Sequence, residues 1–339
     1  MTAHLSGSAL MIALAIPLLA GCIEREEQIV IELDGSVRMK LDFQTNSFDE
    51  LYLGDAVPTM DGGWVIAESV EENQEGEETY RLRAEAVFGP GQDLPSSLAS
   101  PRDPDVDTYL QFPTEVTIEQ RRGGRYYHFY RRYPARAWAF HEAARQSFQE
   151  ELAKLEGRSF EDMTMQERTQ IVWLLARLET AKYEALARWA FKDAMPEAPQ
   201  DAWLHARTAL RQVYDNLDPA RIVELLSGED GKINEEAVEE EARAFEDSAI
   251  EAMQTALREK GRISAEKINA FIRRFRWHKK YYEITEDLAD DGFTIAVTMP
   301  GAIVGHNGLR IEDGAVVWEF TGEMLRDQEI ELMVTSRVN

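Results

Sequence analysis

Cysteine is almost absent: one residue, Cys22, stands in 339, which excludes an intramolecular disulfide. No long membrane-spanning run appears either, since the apolar stretch Ala9–Ala20 (ALMIALAIPLLA) is shorter than the ~20 residues that a spanning helix needs. Basic charge is scarce, with 37 Lys+Arg against 62 Asp+Glu and a formal net charge of -25, so most of the surface should repel nucleic acid and anionic membranes. The signatures of common chemistry are also missing. There is no GxSxG elbow, Walker loop or dinucleotide fingerprint, and Gly89-Pro90-Gly91 precedes no Lys-Ser/Thr pair. The segment Glu229–Ile233 fails as a calcium loop: with Gly231 in the sixth place, Leu226, Gly228 and Ala237 occupy positions that must supply oxygen ligands. The histidines lack metal-ligand spacing, His141-Glu142 having no second histidine four residues on. No catalytic residue, metal or cofactor is therefore expected.

What is present is ordinary globular composition, 44% hydrophobic and 29% charged, in a chain long enough for two cores. The amino terminus has the shape of an export signal, an apolar run closing on small residues before Cys22. Leu19-Ala20-Gly21-Cys22 resembles the lipobox of bacterial lipoproteins. That resemblance implies cleavage before Cys22 and acylation of its thiol and new amino group, and two or more acyl chains anchor stably where one does not. The first eight residues, MTAHLSGS, depart from the usual leader in having no Lys or Arg. The implied location is a bacterial cell envelope, and Ile23 in place of an aspartate after the cysteine favours the outer membrane.

After Cys22 the periodicity is two. Gln28–Leu33, Asp34-Gly35 and Ser36–Phe43 read as a β-hairpin with a two-residue Asp-Gly loop, and strands are expected at 64–70, 79–88, 114–120 and 125–133. From Pro134 the period becomes helical. Thr164 and Glu167 form a capping box before a helix whose apolar face reads Leu174, Leu178, Ala181, Ala185 and Trp189. Pro196 and Pro199 separate it from a second helix at 200–217; a third covers 235–259, and Ser264 caps a last one ending at Phe275. Strand character returns at 280–286, 292–299, 315–320 and 329–338, with a second turn at Asp313-Gly314. The fold class is thus α+β: a leader at 1–21, an antiparallel β-rich domain at 22–133 and 279–339, and an all-α insertion at 134–278.

The carboxy-terminal segment carries Thr298-Met299-Pro300-Gly301, His306-Asn307-Gly308, Asp313-Gly314 and Val316-Val317-Trp318. In this order the motifs resemble the end of the LppM-type domain of bacterial lipoproteins, and Cys22 followed directly by a hairpin with Asp34-Gly35-Ser36 is similar to its beginning. The likeness covers the β portions, about 200 residues. The helical block and the lack of a following membrane helix depart from the family. The resemblance implies a compact α+β envelope domain with a role in binding lipids or glycolipids, and no catalytic residues.

Two basic aromatic clusters stand out against the acidic background, Arg121–Trp138 (RRGGRYYHFYRRYPARAW) and Arg273–Tyr282 (RRFRWHKKYY). They flank the helical block and should meet in space. Alternation places Tyr127, Phe129, Arg131 and Tyr133 on one sheet face and Tyr126, His128, Tyr130 and Arg132 on the other. Arg125, Tyr127, Phe129, Arg131, Arg132, Tyr133, Arg276, Trp277 and Tyr281 are the candidate contacts. In one reading the arginines pair with the acidic helical block, where 11 acidic residues between Glu224 and Glu251 face Lys232 and Arg243 alone. In the other they rim an aromatic cleft for a lipid or anionic amphiphile. That acidic face itself reads either as solvated surface or as a binding face for divalent cations. Nucleic acid is excluded by the export signal and the surrounding charge. The function expected is that of a non-enzymatic, lipid-anchored envelope protein, binding an amphiphile or an envelope protein at the β/helical junction. The alternative is an assembly protein that docks a partner through the helices.

Overall fold

The computed structural model describes residues 23–46, 57–72, 78–137, 163–227 and 235–339. The leader, Cys22, the helical reading of 138–162, His141 and the Glu229–Ile233 turn lie outside the described residues. The chain divides into two compact units, one within Ala139–Lys280 and one made of Leu19–Trp138 together with Tyr281–Asn339. The fold is α+β.

The helical unit holds α1 (Met165–Ala194), α2 (Gln200–Asp215), α3 (Pro219–Ser227), α4 (Glu235–Glu259) and most of α5 (Ala265–Asp287). The Thr164–Glu167 capping box forms reciprocally and sets the start of α1. The most deeply buried stripe of α1 is Val172, Leu175, Tyr183, Leu186, Ala187 and Ala190. It is rotated by about one position from the expected face, whose Leu178, Ala181, Ala185 and Trp189 are only half-buried. Both stripes are apolar enough to serve, and the neighbouring helices select between them. Rings close the core: Tyr214 meets Phe245 at 4.4 Å, Tyr183 meets Phe275 at 5.8 Å and Phe191 meets Trp203 at 5.7 Å.

The expected strand at 280–286 is helix instead, because α5 continues to Asp287. Ile268, Phe271, Ile272, Phe275, Lys279 and Tyr282 are buried at helical spacing, so the buried stripe runs past Phe275 without a break. Tyr281–Glu286 has strand-like composition, but the helix also satisfies its polar groups locally: Tyr282 Oη donates to Glu286 at 2.8 Å and Thr285 Oγ1 donates to the Tyr281 carbonyl at 2.6 Å.

The β-rich unit contains two sheets. The larger runs in the order β3 (Val65–Glu72), β4 (Glu78–Phe88), β2 (Val37–Thr45), β1 (Glu24–Ile31), β7 (Gly292–Thr298), β10 (Ala315–Thr321), β9 (Arg310–Glu312). The smaller runs β5 (Thr114–Arg121), β6 (Gly124–Tyr133), β11 (Ile330–Val338), β8 (Ala302–His306). Strands from before and after the helical segment share both sheets, and β1 pairs with β7 in parallel. One face of each sheet is buried in a common core, with Ile29, Leu41, Phe43, Leu82, Ile295 and Trp318 from the larger and Phe129, Leu332 and Val334 from the smaller.

The two Asp-Gly turns differ. Asp313 (φ 48) and Gly314 (φ 83) both lie in the left-handed region, as the two-residue loop between β9 and β10 requires. At the first hairpin only Gly35 does (φ 91): Gly35 N–H donates to Glu32 O and Glu32 N–H to Ser36 O, each at 2.9 Å. That loop is a wider turn closed by a glycine bulge, which corrects the two-residue expectation. The short β8 and β9 were not foreseen, their buried pattern being too sparse to signal strands.

Two of the motifs behind the family resemblance, His306-Asn307-Gly308 and Val316-Val317-Trp318, meet at the crossing from β8 to β9, where the chain leaves one sheet for the other. Asn307 Oδ1 accepts from Trp318 Nε1 at 3.0 Å and from Met333 N–H at 2.8 Å, while Asn307 Nδ2 donates to the Glu331 carbonyl at 2.8 Å. One amide side chain thereby ties β10 of the larger sheet to β11 of the smaller. Gly301 (φ 82) approaches β11 so closely that a Cβ would sit 2.3 Å from the Arg337 carbonyl oxygen. Asn307→Ala should cost about 0.5–1.5 kcal/mol in chemical denaturation of the β-rich unit, because its bonds are largely solvent-exposed and water takes over part of them. Asn307→Asp should cost less than Ala, since it keeps the two acceptor bonds.

Candidate functional site

The first basic aromatic cluster is turned inward. Along β6, Tyr127, Phe129, Arg131 and Tyr133 are buried while Tyr126, His128, Tyr130 and Arg132 point outward, which is the alternation expected. Arg131 is fully buried (0% exposed) and reaches β1 of the facing sheet, where its Nη1 lies 2.5 Å from Glu27 Oε2. Its Nε donates to Thr114 Oγ1 at 2.8 Å, and Thr114 stands directly opposite Arg131 in the β5–β6 register. Nη1 also donates to Tyr133 Oη at 3.1 Å. A second buried arginine, Arg25, shares the carboxylate, with Nη2 2.7 Å from Glu27 Oε1.

Among the described residues the two guanidiniums share this one carboxylate. Rings complete the site. Arg25 is flanked in register by Phe43 on β2 and Phe293 on β7, and its guanidinium carbon lies 5.3 and 5.4 Å from their centroids. Phe112 serves both cations, 5.5 Å from Arg25 and 4.8 Å from Arg131. Tyr133 meets Phe320 edge-on at 5.3 Å, and Phe293 stacks on Phe320 at 4.9 Å.

Burial alone would raise the Glu27 carboxyl, but the charges of Arg131 and Arg25 and their hydrogen bonds outweigh it and hold it below the ordinary value. Arg131 is opposed by its own burial and is held above its ordinary value by Glu27. Burial, followed by the Glu27 charge, pushes the Tyr133 hydroxyl up to about 12. The cluster is thus fixed in one protonation state across the neutral range and has no group poised to exchange a proton near pH 7.

The other expected contacts divide by location. Arg125 is exposed, and its Nη1 reaches the Leu33 carbonyl at 3.4 Å, beside Tyr127 Oη, which donates there at 2.6 Å. Both tie the start of β6 to the first hairpin turn. Exposed Arg132 lies 3.9 Å from Glu329. Tyr281 belongs to the same unit, where the buried Arg136 lies 4.1 Å over its ring. Arg136 further donates to the carbonyls of Thr108 and Tyr281 at 2.8 and 3.0 Å and to Thr285 Oγ1 at 2.7 Å. The two clusters therefore meet through Arg136 and Tyr281. Arg276 and Trp277 lie in the helical unit, with Arg276 exposed and Trp277 5.1 Å from His278. In that unit Lys279 Nζ donates to Glu246 of the acidic face at 2.7 Å and Arg221 pairs with Glu241 at 3.0 Å. Among the described residues no group of three or more His, Cys, Asp or Glu is placed to hold a metal.

The expectation that Arg131 and its neighbours bond the acidic helical block is corrected for Arg131, whose carboxylate partner is Glu27 of the same unit. Glu27, one of the acidic residues that follow Cys22, is 1% exposed. Sequence reading passed over Arg25, Glu27, Thr114 and Arg136. A signal was available for the first two: in EREEQIVI the charged Arg25 and Glu27 share the phase of Ile29 and Ile31 and so must face the core.

No family model matches the chain, and no curated protein matches it. A solved structure similar to it is the NMR structure of the Mycobacterium tuberculosis LppM protein folded domain, at 9% identity and a TM-score of 0.28, covering 95% of this chain and 93% of that one. A TM-score of 0.28 does not establish a shared fold.

With Arg25, Arg131 and Arg136 committed inside, an open concavity of the β-rich unit is a cleft of about 460 Å³ beside the edge strand β5. Gln92, Ser96, Thr114 and Thr117 supply polar groups, Leu94 and Val116 apolar ones, and Asp93 and Glu115 carboxylates. Thr114 belongs to both features, lining the cleft and accepting from Arg131.

Glu27→Gln should cost about 3–5 kcal/mol in equilibrium unfolding of the β-rich unit, because two buried cations lose the carboxylate they share. Replacing Arg25, Glu27 and Arg131 together by Met, Leu and Met should recover most of that loss. The pH dependence follows the lowered Glu27 value: its contribution is complete above the unfolded carboxylate value and is lost as pH falls through the lower folded one. Acid unfolding of the Gln variant should lack that component.

Proposed function

We propose that this chain is a lipid-anchored envelope protein that acts by binding and not by catalysis, holding a polar ligand or an exposed segment of an envelope partner in the cleft beside β5. The observation that carries the reading is the convergence in that cleft of uncharged hydrogen-bonding side chains with a short apolar wall. The Arg25–Glu27–Arg131 cluster, which would otherwise be the natural catalytic or anion-binding candidate, is used up internally. Cleft size suits one sugar ring or one headgroup and not a whole lipid. With Asp93 and Glu115 and no Lys or Arg in its lining, the cleft favours an uncharged or cationic group over the anionic amphiphile suggested by the arginine-rich sequence.

Membrane attachment rests on the Leu19–Cys22 tetrapeptide behind its apolar run. Among the described residues no helix is long and apolar enough to cross a membrane. Cys22→Ser should move the protein from the membrane to the soluble fraction; continued retention without acylation would refute the anchor. Native mass spectrometry of residues 23–339 should show a co-purifying glycolipid or sugar, and Thr117→Trp, which fills the cleft from an exposed position, should lose it while unfolding normally. A ligand-free protein that instead retains a partner through its helical unit would favour the assembly reading.

A further inference from the structure

We propose that the β-rich unit sits directly on the membrane, with the end of the larger sheet where β1 begins as its contact surface for phospholipid headgroups. This rests on acylation of Cys22 as proposed above. Ile23, the next residue, is locked into the fold. Its N–H donates to Asp291 Oδ1 at 3.2 Å, its carbonyl accepts from Gly292 N–H at 2.9 Å, and it is 3% exposed. Strand β1 starts one residue later, with Glu24 opposite Gly292 on one side and Gln44 on the other. An acylated residue 22 thus has its Cα one peptide step, about 3.8 Å, from a fixed atom. A flexible ten-residue tether would instead reach about 18 Å. Cleavage before Cys22 leaves the Cys22–Ile23 peptide intact, so the clamp on Ile23 survives maturation.

The surface around this point is built from named parts. The loop Leu288–Asp291 holds Ile23 and is itself backed by the turn Gly322–Leu325, through Gly322 N–H to Asp291 O at 3.0 Å and Glu323 N–H to Ala289 O at 2.8 Å. Met324, 46% exposed, projects from that turn. Glu24 at the start of β1, Asp290 in the loop and Glu323 in the turn are exposed, and Arg326 pairs with Glu323 at 2.7 Å. Such a surface is repelled by anionic lipid and suits zwitterionic headgroups. The opposite end of β1, with the turn at Asp34-Gly35, is about 26 Å away at ~3.3 Å per residue. The exposed apolar residues of that far end, Leu33 and Ile311, then face away from the bilayer.

Because Cys22 is the only cysteine and is consumed by acylation, an added cysteine can carry a unique fluorophore. The acylated full chain, reconstituted in phosphatidylcholine/phosphatidylethanolamine vesicles containing headgroup-nitroxide lipid, is labelled through Met324→Cys or Asp34→Cys. The expected result is quenching at 324 at least threefold stronger than at 34, with the difference abolished by ten Gly/Ser residues inserted between Cys22 and Ile23. Equal quenching at both positions, or a difference that survives the insertion, would overturn the proposal. Failure of the anchor reads out separately, as a protein whose intact mass lacks acyl chains and which does not float with the vesicles.

Discussion

Two buried guanidiniums converge on the carboxylate of Glu27, and the two sheets of the β-rich unit are joined at that point. Glu27 sits on β1, the strand that pairs with β2 on one side and with the carboxy-terminal β7 on the other. Its partners come from its own strand, Arg25, and from the facing sheet, Arg131. A one-residue slip of β1 would carry Arg25 and Glu27 to the solvent face and leave Arg131 buried without a counter-ion. The cluster therefore discriminates between registers more strongly than an apolar core of the same volume would, even where it adds little net stability. The ring of Phe43, Phe112 and Phe293 makes the arrangement tolerable by offering aromatic faces to whatever guanidinium surface the carboxylate does not reach.

Asn307 does by hydrogen bonding at the β8–β9 crossing what Glu27 does by charge in the core. Each device links the two sheets on one side of the helical block, Glu27 with Arg131 before it and Asn307 with β10 and β11 after it. The segments before and after the block are joined by the β1–β7 and β6–β11 pairings and by the Arg136–Tyr281 contact, next to where the chain enters and leaves the helices. The β-rich unit can thus carry an insertion of more than a hundred residues because its own closure does not depend on what lies between Trp138 and Tyr281.

These commitments shape what remains for function. Arginine and aromatic side chains gathered in sequence suggest an anion site, yet here the most buried of them satisfy one another and leave no proton-exchanging group. The cleft beside β5 remains, lined by short polar side chains and two carboxylates. Placed on a membrane by an anchor without a tether, that cleft would open at the end away from the bilayer, where Gly35 and Val37 contribute to its wall.

The α+β class, the alternation along β6, the capping box at Thr164 and the two-residue turn at Asp313-Gly314 were legible from local pattern, whereas at Asp34-Gly35 the position of the turn was legible and its width was not. Even the inward phase of Arg25 and Glu27 was available from EREEQIVI. The continuation of α5 through Tyr281–Glu286 was not, since aromatic and β-branched residues suit either state locally and only burial at helical spacing decided between them. Nor could the sequence say which acid Arg131 meets. It determined that Arg131 lies on the same face as Tyr127, Phe129 and Tyr133, because side chains alternate along any strand. The tertiary structure alone decided that this face is the inside and that Glu27, 104 residues away, stands opposite, because cross-sheet pairing is fixed by how two distant strands pack and not by anything encoded beside either residue.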